Sequence, residues 1–166
     1  NKVEKLLAGV LSISLAMGVS VMPAFAAQAQ DPPYEDMSRV YLTKNYELAN
    51  TGTLSPEETF TFTIDPGTVT DASEGIEAGD YMPTVGDVTY AQGEAGSANK
   101  TRQIEIQLPE YDSVGVYTYI IHEVAGDSAG VTYYGDAILL RVTVIEQDGK
   151  LRIAAVHTED PESTGE

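Results

Sequence analysis

Cysteine is missing from all 166 residues. That excludes disulfides, thiolate metal sites and thiol nucleophiles together. Histidine is scarce, with only His122 and His157, which leaves little material for imidazole catalysis or a multi-histidine metal site. Basic residues are few: nine Lys and Arg stand against 26 Asp and Glu, for a net charge of −17. Such a surface repels a phosphate backbone, so nucleic acid is not a partner. No G-x-S-x-G, H-E-x-x-H or EF-hand spacing occurs. Acidic loops at Asp65, Asp71 and Asp80 leave calcium binding open without that spacing, but in so acidic a chain most carboxylates are solvated surface, and no cofactor or metal is expected. Enzymatic action on an external substrate is not expected either.

What remains is a globular composition, 42% apolar and 21% charged. The front of the chain differs from the rest. Lys2 and Lys5 precede an uncharged apolar run from Leu6 to Met22, then Pro23 and the small-residue steps Ala24-Phe25-Ala26 and Ala27-Gln28-Ala29. This order reads as a secretion signal over residues 1–30. The rival, a membrane anchor, wants a slightly longer run and lacks the cleavage-type flank. No stable membrane span is expected after cleavage. The implied organisation is a linker at 31–38, one domain at 39–157 and a polar acidic tail at 158–166.

The domain alternates with period two, between clusters of Gly, Pro, Asp and Asn. Val40, Leu42, Lys44, Tyr46 and Leu48 share a face. Phe60, Phe62 and Ile64 alternate with threonines, and Asp65-Pro66-Gly67 is expected to end that strand. Residues 68–100 read as a long loop with one short strand at 85–90. Ile104, Ile106 and Leu108 share a face, as do Tyr117, Tyr119, Ile121 and Glu123. Residues 137–147 read as a central strand. Asp148-Gly149 signals a type I′ hairpin, and Leu151, Ile153 and Ala155 are expected to face inward beyond it. Six or seven such strands predict an all-β, immunoglobulin-like antiparallel sandwich, with a small barrel as the runner-up.

Two residues break the apolar pattern. Lys44 sits on an apolar face, where it either snorkels to the rim, guards an edge strand, or is buried and paired. Glu123 closes the face of Tyr117, Tyr119 and Ile121, either as a strand-end carboxylate in water or as a buried acid. Buried together, the two suggest one chemistry. Burial disfavours the charged form of each. A neutral amine is a nucleophile, and a protonated acid can polarise a carboxamide and shuttle protons. With an asparagine nearby, the product is an amide cross-link between strands, which would brace a cysteine-free secreted protein.

These residues carry a resemblance. The runs VYLTKNYELANTGTLSPEETFTFTIDP, VGVYTYIIHEVAG and GVTYYGDAILLRVTVIEQDGKLRIAAV, in that order, resemble the isopeptide-linkage domain of Gram-positive major pilins, with the streptococcal N-terminal domain closest in pattern. The resemblance covers Val40 to Val156. It implies a CnaB-like sandwich and a Lys–Asn isopeptide bond promoted by a glutamate. It also implies sortase-built assembly with other pilin subunits, on the cell wall or pilus surface of a Gram-positive bacterium. By position, Lys44 matches the cross-linking lysine and Glu123 the catalytic glutamate. The acceptor asparagine would lie in a last strand beyond the 158–166 tail. That strand is lacking here, and Asn45, Asn50 and Asn99 do not sit in a late strand. Tyr134 replaces an aspartate of the family pattern. The alternative function is a secreted adhesin or ligand-binding sandwich without a cross-link, for which the ten tyrosines leave room for a host surface ligand. Tyr117, Tyr119, Tyr133 and Tyr134 nevertheless read as packing residues.

Overall fold

The computed structural model describes residues 7–12 and 37–159. Most of the expected signal segment, and the tail beyond Glu159, lie outside the described residues. Among the described residues eleven strands are present: β1 (Leu7–Ser12), β2 (Arg39–Tyr46), β3 (Glu58–Phe60), β4 (Phe62–Thr70), β5 (Thr84–Val85), β6 (Val88–Tyr90), β7 (Thr101–Gln107), β8 (Gly115–Glu123), β9 (Val131–Thr132), β10 (Ile138–Gln147) and β11 (Lys150–Glu159). Among the same residues the one helical turn is a 3-10 segment at Ala78–Asp80.

The strands form an immunoglobulin-like sandwich. One sheet has the order β5-β7-β2-β1-β9, the other β11-β10-β8-β4, and the ribbon β3-β6 forms a small third sheet. Pairings are antiparallel except β1 with β9, which run parallel. Inward residues of all three sheets meet in one core. Val40, Leu42, Ile104 and Ile106 come from the first sheet, Tyr117, Tyr119, Ile121, Ile138, Leu140 and Val142 from the second, and Phe60, Val88 and Tyr90 from the ribbon. The cause is the pleat: side chains alternate across each strand, and only one face of each sheet is covered by the other. β8 shows the alternation over its whole length.

Three expectations need correction. Asp65-Pro66-Gly67 does not end a strand; β4 runs through it to Thr70, with a register shift between Pro66 and Val69. Proline is tolerated because β4 is the outer strand of its sheet and the ladder is already interrupted there. Gly67 approaches β8 so closely that a Cβ would lie 2.6 Å from the Thr118 carbonyl oxygen. Ala155 faces solvent, not the core. The ladder pairs Val144 with Ile153 but Thr143 with Ala155, so Ala154 is an extra residue, and the bulge brings Val156 inward instead. Lastly, Thr158 and Glu159 belong to β11, because Leu139 and Leu140 of β10 pair with them. The Asp148-Gly149 turn is as expected, with φ of 54° and 74°. The stretch 85–90 divides at Gly86-Asp87: β5 pairs with β7, and β6 pairs with β3.

Candidate functional site

Alternation along β2 turns Lys44 inward between Leu42 and Tyr46, and alternation along β8 turns Glu123 inward after Ile121. The two strands lie in opposite sheets, so the pair spans the core. Lys44 Nζ is 2.6 Å from Glu123 Oε1, and both side chains are fully buried. The rim-snorkelling and edge-guard readings of Lys44 therefore do not describe this molecule. Glu123 is the carboxylate that meets the amine inside the core and offsets part of the cost of burying its charge.

The surroundings are aromatic. The Phe60 ring centroid lies 4.0 Å from Lys44 Nζ. Tyr46 packs edge-on against Phe60, with centroids 5.1 Å apart, and Tyr90 packs against both rings. The Tyr90 hydroxyl shares its one proton between the main-chain carbonyls of Lys44 and Lys100, at 2.9 and 2.8 Å, and so fixes the backbone on which Lys44 stands. Loss of hydration in this setting pushes the Lys44 amine below its ordinary range of about 10.5, against the opposing pull of Glu123. The structure thus holds a lysine whose unprotonated, nucleophilic form is favoured relative to water.

The carboxylate is held from its other side. The backbone N–H of Tyr134, just past β9, donates to Glu123 Oε2. A second buried acid, Glu58, accepts from the Tyr133 hydroxyl at 2.9 Å. Adjacent residues 133 and 134 therefore tie one short segment to both acids. Burial and the nearby Glu58 charge push Tyr46 up to about 12, and its hydroxyl has no hydrogen-bond partner.

The sequence had singled out Lys44 and Glu123, and the structure brings them together. It did not bring forward Phe60 as a partner of the amine, Glu58, or the Tyr134 N–H. Glu58 was within reach, since alternation extended back from Phe60 by two puts it on the same face. A main-chain donor leaves no trace in residue type. Among the described residues no asparagine faces the amine: Asn45 lies on the opposite face of β2, where its side chain accepts from Thr101, while Asn50 and Asn99 are exposed. Tyr117 and Tyr119 are core residues. A surface cleft of about 400 Å³, between Met37, Leu108, Tyr111 and Leu151, does not include the pair. Among the described residues no group of three His, Asp or Glu could hold a metal ion.

The family model described as "Spy0128-like isopeptide containing domain" matches residues 40–165. The chain belongs to that family. Lys44 and Glu123 both fall inside the matched span of this isopeptide-containing domain. A protein named "Pilin" from Streptococcus pyogenes serotype M1 is 28% identical over 123 residues, 72% of this chain. The chain spans 36% of that relative's length. No solved structure matches.

Proposed function

We propose that this domain is part of a structural pilus subunit on a Gram-positive cell surface, braced by an intramolecular Lys–Asn isopeptide bond that Lys44 forms and Glu123 promotes. The observation that carries the reading is the fully buried Lys44–Glu123 contact at 2.6 Å, bridging the two sheets. Family membership supports it, and the relative's name supports the pilus assignment.

The chemistry is as follows. The unprotonated Lys44 Nζ attacks the carboxamide carbon of an asparagine brought beside it. Glu123 takes the proton released from the amine and delivers it to the departing nitrogen. A C–N bond forms to Nζ, the original carboxamide C–N bond breaks, and one ammonia leaves. The core supplies the alignment that replaces concentration. Assembly with further pilin subunits by sortase, and secretion under residues 1–30, complete the reading.

Intact mass of the natural-length protein tests it. A deficit of about 17 Da, one ammonia, is expected in the wild type and absent from Lys44→Ala and Glu123→Ala. A wild-type mass equal to the sequence mass would remove the cross-link.

A further inference from the structure

β1 lies in the stretch read as a secretion signal, yet its backbone is an inner strand of the first sheet. It pairs antiparallel with β2, with Leu11 opposite Lys44 and Val10 opposite Asn45. On its other side it pairs in parallel with β9, through Leu7–Val131 and Ala8–Thr132. Among the described residues β2 and β9 are not otherwise neighbours, and β9 has no other strand partner. Taking β1 away leaves a gap one strand wide, about 10 Å between flanking strands. The gap lies beside the backbone of Lys44. It also releases β9, whose next two residues hold Glu58 and Glu123.

We propose that residues 7–12 are a stand-in strand: in the uncleaved chain they close the slot between β2 and β9 without offering Lys44 a carboxamide, and their removal opens the slot to the strand that brings the asparagine. This rests on the cross-link reading above. Three observations carry it. The register sets a leucine at the position across from Lys44. The whole apolar run Leu6–Met22 contains no Asn, Gln, Asp or Glu, so a slipped register is equally inert toward the amine. An empty slot would expose two unpaired strand edges and admit water to a buried ion pair, and both are costly. A filled slot also keeps the Tyr133-Tyr134 segment in place, so the site is shaped before the reactive strand arrives.

The test has two arms. The first is hydrogen exchange on the 166-residue chain and its Leu11→Pro variant. Proline removes the backbone N–H at the β1 residue that stands opposite Lys44. Amides of β2, β9 and Tyr134 are expected to exchange at least roughly tenfold faster in the variant, while β8 and β10 keep their protection. Equal protection in both chains overturns the stand-in. The second arm is the natural-length protein made with and without residues 1–30, which does not depend on the variant folding. The form lacking them is expected to lose about 17 Da and the form keeping them to stay at its sequence mass. Equal loss in both overturns the gating and leaves the cross-link reading intact. No loss in either, with β2 and β9 protected in the first arm, overturns the cross-link reading while the strand's place stands.

Discussion

Glu123→Ala in the 166-residue chain isolates the buried pair, because among the described residues no asparagine faces Lys44 to form a cross-link that would confound the measurement. The substitution leaves the Lys44 amine with the Phe60 ring at 4.0 Å as its remaining neighbour of opposite polarity. The side chain has no exposed surface along which to reach water. Breaking a buried pair from one side costs about 3–5 kcal/mol, because the survivor must stay charged in an apolar site, give up its proton, or draw water inward. At roughly 4 °C per kcal/mol for a domain of this size, the thermal midpoint falls by roughly 12–20 °C. Removing both groups at once should cost far less. Lys44→Met with Glu123→Ala leaves no charge behind, and the double variant is expected within about 2 kcal/mol of the parent. Urea unfolding of the four members of the cycle gives the coupling. A single variant that loses under about 1 kcal/mol, or a double variant as damaged as the single, would refute the claim that Glu123 holds a buried amine.

Further outcomes follow from the same structure. Burial lowers the folded pKa of Lys44, so the unfolded chain binds more protons, and the lysine's contribution to stability rises with pH. That contribution is full above about 10.5 and is lost as pH falls toward the folded value, so the stability of wild type relative to Lys44→Met should rise on raising the pH; urea midpoints across pH measure it. Tyr46 and Tyr111 have the opposite sign: with folded values pushed up to about 12, their contribution is complete below pH 10 and lost as pH rises toward 12, which tyrosinate absorbance should record as unfolding on that limb. Phe60→Ala should cost about 3–5 kcal/mol in denaturant unfolding, since it empties the centre of the aromatic cluster beside the amine. Gly149→Ala should cost about 1–2 kcal/mol through its φ of 74° alone, because nothing lies within 4 Å of the new methyl; Gly67→Ala should instead disturb the β4–β8 ladder, seen as faster amide exchange there.

Alternation made much of the fold legible, because a sandwich strand must present one face to the core. The inward sets of β2, β7 and β8, and with them Lys44 and Glu123, are read directly from that rule. The Asp148-Gly149 turn is equally legible, since its backbone demands residues that accept positive φ. Alternation says which face a residue takes, not which strand it meets. Phe60 and Phe62 look like one strand, yet the chain breaks at Thr61, sending Phe60 to the β3-β6 ribbon and Phe62 to the edge of the second sheet. The bulge at Ala154 is hidden for the same reason: an extra residue is defined only against a partner, and it turns Ala155 outward. β1 was not legible as a strand at all, because an uncharged apolar run of that length satisfies a secretion signal as well as a sheet. The pairing of Tyr134 with Glu123 comes from the backbone, so the residue type at that position does not predict it.

Proteolysis of the natural-length protein followed by tandem mass spectrometry tests the central claim most directly. The expected product is a branched peptide in which the segment bearing Lys44 is joined through Nζ to an asparagine-bearing segment, present in the wild type and missing from Glu123→Ala. Recovery of the Lys44 segment only as a linear peptide with a free amine would contradict it.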